Sequence, residues 1–385
     1  MSAPRFDVTI HGPLAAPLYA CGDAGASGGA ELQTFHLACA LADRGLRVCH
    51  VVKDGPGMPE RSHGVELVRQ PIEHDQTVVG YTRELHRALR RADAHLFIQR
   101  TGGYETGAVA TSAKAHRRRF VFAASSTLDT SGSGTDVSRV HRAARRAGLR
   151  LADAIVVQTS EQLEQLPRTL APKARVIRSF ARMPESLPAA EREAFLWIGG
   201  LVDYKDPEAF VALAERLPDA RFWMVGTRRD GQDPLADRVQ AAAERLPNLE
   251  LLPARPRAEL LALYERAVAL VNTSRFEGFP NTFLEAWGHG VPAISLRLDP
   301  DSMIERHDLG SCAHGSAEEF ADQARRLWAE RHNGDARRAA LRQHVASVHG
   351  SDAVAGGWLS LVHDLVGDRL SPRSRPRPRP RKAPA

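Results

Sequence analysis

The sequence predicts an α/β protein made of two doubly wound domains, and three observations predict it. Apolar runs of strand length alternate with helical stretches, the alternation lapses once near the middle of the chain, and it then resumes in the same order. Asp7 to His11 reads as a buried strand running into the small-residue loop GDAGASGGAELQ, and a helical run from Leu32 to Arg44 follows. Gly45 stops that helix and RVCHVV supplies the next strand. Strand, loop, helix and strand in fifty residues make a βαβ unit, whose parallel strands require helices on both sheet faces. HLFIQR, FVFAAS and AIVVQT continue the series, so residues 1–180 are expected to form the first domain.

Within VIRSFARMPESLPAAERE the periodicity stops, which places an interdomain linker at 181–194. FLWIGG opens the second series, followed by RFWMVG, LELLP, VALVNTS and PAISL as strands. AFVALAERL, PLADRVQAAAERL, ELLALYERA and NTFLEAWGHG are the helices between them. Residues 195–345 are therefore expected to form the second domain, with a closing helix in 346–370 that packs back towards the first. No short-period repeat suggests a solenoid or propeller.

Composition narrows the class. At 385 residues, 43% apolar and 25% charged, the chain suits a soluble globular protein with two cores. No run is long and apolar enough for a spanning helix, and MSAPRFDVTIHGPL lacks the layout of a secretion signal. Cys21, Cys39, Cys49 and Cys312 show no metal-ligand or disulfide spacing, so the expectation is a cytoplasmic, reducing location. Of the 52 Lys and Arg, six lie in the last fifteen residues, leaving 46 basic against 46 acidic groups in the rest. The net charge of +6 is thus a property of SPRSRPRPRPRKAPA, whose Arg-Pro alternation predicts a disordered tail over 371–385. Nucleic acid is not an expected partner. The arginines of 117–119 and 142–150 read as solvated helix faces, and an anionic membrane surface is the peripheral partner such faces admit.

The most informative stretch is SRFEGFPNTFLEAWGHGVPAISL, residues 274–296, where a strand ends, a carboxylate occupies a turn, and a helix begins near Asn281. A helix start offers amides and a positive dipole end to phosphate. Glu277 and Glu285 do not fit a glycosidase acid-base pair. Eight helical residues span about 12 Å, against roughly 5–9.5 Å between glycosidase carboxyls. They read instead as two separate hydroxyl binders.

The E-x7-E spacing of Glu277 and Glu285, set in EGF…LEA…G-x-P, resembles the donor-site signature of the retaining glycosyltransferase family 4. GGAELQTFHLACALADRGLRV, FLWIGGLVDYKDPEAFVALAERLPDARFWMVG and LLALYERAVALVNTS resemble further segments of that family, so the likeness covers most of residues 1–365. It implies the GT-B architecture, two Rossmann-like domains facing across a cleft, and glycosyl transfer from a nucleotide-diphosphate sugar without a cofactor or metal. Polysaccharide or glycolipid synthesis of the cell envelope is one setting it implies. The acceptor is left open among a sugar, a lipid-linked saccharide and a small molecule.

Carried onto this chain, the resemblance makes Glu277 and Lys205 the catalytic residues, Glu277 on donor-sugar hydroxyls and Lys205 on the diphosphate. Glu285 would bind the ribose, and Gly278, Phe279, Asn281 and Thr282 the phosphates. Gly28 and Gly29 would let backbone approach the donor closely, with Glu31 beside them. Two departures stand out. The family's arginine five residues before the lysine is Gly200, and its histidine after a first-domain strand has no counterpart near HLFIQR, where Gln99, Arg100 and Thr101 take the position. GASGGAE lacks the G-x-G-x-x-G spacing of a dehydrogenase. DPD at 299–301 imitates a metal-binding D-x-D but equally suits a turn. A nucleotide-sugar epimerase or a non-catalytic binding protein would share the architecture.

Overall fold

The computed structural model describes residues 3–370 except 21–27, 74, 132–137, 187–189, 230, 256 and 333–334. The Arg-Pro tail, Cys21, part of the expected linker and most of the glycine loop lie outside the described residues.

β1 (Phe6–His11) is buried at all six positions, the pattern of a parallel strand covered on both faces. It pairs in parallel with β2 (Val48–Lys53) on one side and β5 (Ala94–Arg100) on the other. β3 (Arg61–Ser62) and β4 (Val65–Gln70) extend the first side, the two running antiparallel to each other. β6 (Arg119–Ala123), β7 (Ala154–Val157) and β8 (Ala174–Val176) extend the second. The order β3-β4-β2-β1-β5-β6-β7-β8 reverses direction between β1 and β5.

Three helices, Val78–Arg91, Tyr104–Ala115 and Arg139–Leu151, pack side by side against this sheet. The last two approach closely because each presents a glycine. A Cβ on Gly107 would fall 2.4 Å from the Ala144 carbonyl oxygen, and one on Gly148 the same distance from that of Thr106.

The second sheet repeats the plan with β9 (Ala194–Gly200), β10 (Phe222–Thr227), β11 (Leu249–Leu252), β12 (Ala267–Asn272), β13 (Ala293–Ser295) and β14 (Gly310–Cys312). All its pairs are parallel, in the order β11-β10-β9-β12-β13-β14, which reverses between β9 and β12. Alternation along β9 divides its side chains between two cores, as strand geometry requires. Phe195 and Trp197 join Phe210 and Phe222 on one face, while Ala194 and Leu196 join Tyr264, Phe283 and Trp287 on the other.

The chain forms two compact units. Among the described residues, the first holds those up to Val157, Leu166–Ile177 and Ala355–Leu370; the second holds Gln158–Gln165 and those in Arg178–Val354. Both are Rossmann-like α/β units of a GT-B protein. Sequence periodicity missed β4, β8 and β14. Burial in β4 is interrupted by half-exposed positions, and three residues, as in β8 and β14, are too few to show a period.

Candidate active site

In a doubly wound sheet the strand ends diverge where the order reverses, and the crevice lies beyond the carboxyl ends of the strands there. For the second unit those strands are β9 and β12. Lys205 follows β9 and Glu277 follows β12, so two segments 72 residues apart in sequence meet at one place.

Lys205 Nζ and Glu277 Oε1 form an ion pair, both side chains being mostly buried. Ser274 Oγ donates to the same Glu277 oxygen at 2.9 Å, which orients the carboxylate. The two turns are laced together below the charges. Thr273 Oγ1 donates to the Lys205 carbonyl at 2.7 Å, and the Arg275 amide donates to the Tyr204 carbonyl at 2.7 Å. Tyr204 and Phe276 stack with ring centroids 4.8 Å apart. Trp197 Nε1, at the buried root of β9, donates to Thr273 Oγ1 at 2.9 Å. Asp206, in the left-handed region at φ 48°, begins the helix Pro207–Arg216 and draws Arg297 to 2.9 Å and Arg275 to 3.7 Å. A lysine and a glutamate on exposed loops would gain little from pairing. Here the backbone of both turns is held independently of the pair, so the charges are positioned before any ligand arrives.

The helix Asn281–Gly288 starts four residues after Glu277, with Pro280 at its N-cap and no side chain capping it. Asn281 and Thr282 are half-buried, and Gly278 is buried. Phe279 is a packing residue: its ring lies 5.0 Å from His349 and 6.2 Å from Trp287, leaving its backbone as the part suited to an anion. Glu285 lies on the buried side of the helix, 8% exposed, where Tyr264 Oη donates to its Oε2 at 2.8 Å. The Tyr264 ring in turn stacks on His289.

At position 200 the chain has no side chain, and the space is taken by another residue. A Cβ there would lie 3.3 Å from Nε and 3.5 Å from Cγ of Arg229, which follows β10.

The first unit also carries a pocket where its strand order reverses, of about 170 Å³. His11 from β1 and Gln99 and Arg100 from β5 line it, with Glu31, Thr34 and Glu105 from the two adjoining helices. Gly28 is the exposed N-cap of the helix Gly29–Ala42. The Glu31 carboxylate folds back over it so closely that a Cβ on Gly28 would meet Oε2 at 2.4 Å. Gln99 Nε2 donates to the Arg100 and Thr101 carbonyls at 2.8 and 2.6 Å, fixing a Thr101 held at φ 75°. Burial pulls Arg100 down to about 10, while Asp129 and Glu31 nearby favour its charge.

Beneath this pocket the histidines are neutral. His11 Nε2 meets Gln70 Oε1 at 3.1 Å, and Tyr19 Oη meets His50 Nδ1 at 2.8 Å. Burial lowers His11 below the usual 6.5, and burial together with His11 pushes His50 down to about 3.

The DPD turn spends both carboxylates on backbone. Asp299 accepts from the Ile304 amide at 2.7 Å, and Asp301 accepts from Ser160 at 2.8 Å and pairs with Arg178. A cavity of about 240 Å³ among Arg192, Val268 and Pro292 lies at the amino-terminal edge of the second sheet, opposite Lys205 and Glu277.

Sequence reasoning had no route to Thr273, Tyr264 or Arg229, since each matters through a partner distant in sequence. Ser274 was missed although its partner Glu277 lies only three residues away.

Family models match both units. One described as "Glycosyl transferases group 1" matches residues 192–330, and one described as "Glycosyl transferase 4-like domain" matches residues 28–178. Both halves of the chain are glycosyltransferase domains. Over 140 residues the chain is 28% identical to glycosyltransferase 1 domain-containing protein 1 of Xenopus tropicalis, a stretch that is 35% of this chain and 40% of that protein. The chain thus matches less than half the length of that curated relative. Solved structures share the GT-B fold over nearly the whole chain. A sucrose-phosphate synthase from Thermosynechococcus elongatus superposes with TM-score 0.73 at 17% identity, covering 94% of this chain and all of that one. The Anabaena protein HepE, solved with UDP and glucose, gives TM-score 0.71 at 13% identity with the same coverage.

Proposed function

We propose that this protein transfers a glycosyl group from a nucleotide-diphosphate sugar, with retention of anomeric configuration, to a sugar, lipid-linked or small-molecule acceptor. The observation that carries the reading is the Lys205–Glu277 pair, prepositioned where the second sheet reverses its strand order. Glu277 offers a carboxylate to hydroxyls of the donor sugar. Lys205 places a cation where the leaving diphosphate gains charge as the glycosidic carbon becomes oxocarbenium-like. The Asn281–Gly288 helix start receives the phosphates, and Glu285, which accepts from Tyr264, binds the ribose. No side chain forms a covalent bond in this scheme: the acceptor hydroxyl attacks the face the diphosphate leaves, and a departing phosphate oxygen takes its proton. No metal is required, since Lys205 and the helix dipole supply the positive charge. The first-unit pocket, rich in hydrogen-bonding groups, takes the acceptor.

Calorimetric titration tests the donor half directly, with UDP as the first probe because the Anabaena neighbour was solved with it. Micromolar binding is expected for one of UDP, ADP, GDP or TDP; binding of none removes the reading. Product analysis then separates transfer, which yields a glycoside, from epimerisation, which returns a free nucleotide sugar.

A second proposal concerns the setting. Val78, Val79 and Val140 are exposed by 49%, 79% and 65% at the starts of two arginine-rich helices of the first unit. Tyr104 touches both starts, its hydroxyl 2.8 Å from Thr82 Oγ1 and its ring 5.4 Å from His141. Apolar side chains rimmed by Arg83, Arg87, Arg139 and Arg142 suit an anionic bilayer surface, the place to meet a lipid-linked acceptor. Co-sedimentation with phosphatidylglycerol vesicles, lost in Val79→Asp/Val140→Asp, is expected; equal partition into phosphatidylcholine vesicles argues against it.

A further inference from the structure

We infer that Arg229 is the second cation of the donor site, reaching over Gly200 to the diphosphate that Lys205 also holds. The inference rests on the donor reading of the Lys205 turn and adds a residue to it. Gly200 is the last residue of β9, five before Lys205, and lies opposite Thr227 in β10. The chain after Thr227 brings the Arg229 side chain against Gly200, with Nε and Cγ 3.3 and 3.5 Å from the place of a Cβ. Even alanine at position 200 would crowd that side chain. The backbone gives no other reason for glycine here, because Gly200 is not among the residues with positive φ. What the missing side chain does provide is room for a guanidinium at the strand end that carries the lysine.

Charge accounting points the same way. A nucleoside diphosphate brings two to three negative charges, but the single charge of Lys205 is already matched by Glu277. Asp206 holds Arg297 at 2.9 Å and the more distant Arg275 at 3.7 Å, one carboxylate against two guanidiniums, and Arg228 is engaged by Asp237 at 2.8 Å. Arg229 is exposed, and among the described residues no carboxylate pairs with it. A guanidinium is also the group best shaped to take two oxygens of a phosphate at once. Lys205 and Arg229 together bring a net positive charge to the strand ends, which the lysine beside its glutamate does not.

The test is titration of the full-length protein with UDP, ADP, GDP and TDP, each beside its monophosphate, for wild type, Arg229→Ala, Gly200→Ala, Arg228→Ala and Lys205→Ala. Charge-assisted hydrogen bonds of this kind translate into about a tenfold to hundredfold loss of diphosphate affinity in Arg229→Ala. The monophosphate should lose far less. Gly200→Ala should weaken the diphosphate in the same direction by displacing the arginine, whereas Arg228→Ala, one residue away, should match wild type. Arg229→Ala binding the diphosphate as wild type does, while Lys205→Ala does not, overturns this inference and leaves the donor reading standing. Failure of the wild-type protein to bind any of the four overturns both. The thermal midpoint of Arg229→Ala should stay at the wild-type value, since the side chain is exposed; an equal loss for monophosphate and diphosphate counts against a diphosphate contact.

Discussion

The two units reverse their strand order in the same way but furnish the reversal with different side chains. In the second, formal charges meet there: Lys205 against Glu277, with Asp206, Arg275 and Arg297 behind them. In the first, His11 and His50 are buried and neutral, and Gln70 and Tyr19 hold them. The topology creates a crevice in both and leaves its contents undetermined. A preformed ion pair suits a ligand that gains charge during reaction. In the first unit, the strand-borne histidines offer hydrogen bonds without charge, and the charge on Arg100 is set against Glu31 and Asp129. On the proposed reading the second unit handles the donor and the first the acceptor.

The largest effects should come from deleting the charges. Lys205→Ala and Glu277→Ala are each expected to lower kcat by about 10² to 10³, the usual cost of losing one preorganised group that stabilises transition-state charge. Gln99→Ala in the first unit should act on the acceptor KM with much less change in kcat. If Gln99→Ala lowered kcat as much as Glu277→Ala, the division of labour between the units would be wrong. Initial rates at saturating and limiting concentrations of each substrate decide it.

Acid sharpens the contrast through stability. The unfolded chain takes up a proton on each histidine near pH 6.5, whereas burial holds folded His50 to about 3 and folded His349, in the second unit, to about 4. Protons therefore favour the unfolded chain, so the contribution of both sites is intact above about pH 6.5 and erodes as pH falls towards those values. The first unit refuses a further proton at His11. Its sheet should therefore loosen first between pH 6 and 4, read by hydrogen exchange of peptides from β1, β2 and β5 against those from β9 and β12. Of the five tryptophans, Trp197, Trp223, Trp287 and Trp328 belong to the second unit and Trp358 to the first, so in Trp358→Phe the fluorescence reports the second unit alone. Earlier loss in the second unit would break the comparison.

Packing tests the first unit alone. Gly107→Ala drives a methyl into the Ala144 carbonyl across the closest helix contact described there, a backbone clash that no rotamer relieves. Overpacking of this type costs about 1–3 kcal/mol. Thermal unfolding should show it, with nucleoside diphosphate affinity unchanged because the proposed Lys205–Glu277 donor turn lies in the other unit.

How far the sequence foretold these features follows from the range over which each is specified. β1, β9 and β12 were legible because burial on both faces writes a continuous apolar run into a few adjacent residues. The turn at Glu277 was legible because its strand, carboxylate and helix start are contiguous. Arg229 over Gly200 was not, although the glycine itself stood out: the compensation comes from a neighbouring strand, and strand neighbours are set by topology. The neutral character of His50 was hidden for the same reason, since its surroundings come from β1 and the short helix Ala16–Ala20 that carries Tyr19. DPD read as a turn with a metal alternative, and its use in binding the Ser160 amide could not be seen across 141 residues.

The smallest effect expected is at Tyr264, and it separates two ways in which Glu285 can matter. The carboxylate is 8% exposed and accepts the phenolic proton at 2.8 Å. Tyr264→Phe removes that donor while keeping the ring on His289, so packing is preserved and the charge loses part of its solvation. A hydrogen bond to a charged group contributes about 1.5–3 kcal/mol, less whatever water restores. If Glu285 is only a satisfied interior acid, Tyr264→Phe lowers the thermal midpoint and leaves nucleoside diphosphate affinity alone. If Tyr264 aims Glu285 at the ribose, affinity for the ribonucleoside diphosphate falls severalfold while the 2′-deoxy analogue, already short of one hydroxyl, responds less. The proposed donor geometry requires the second result, and a ribose-independent response would withdraw Glu285 from the site while leaving Lys205 and Glu277 in it.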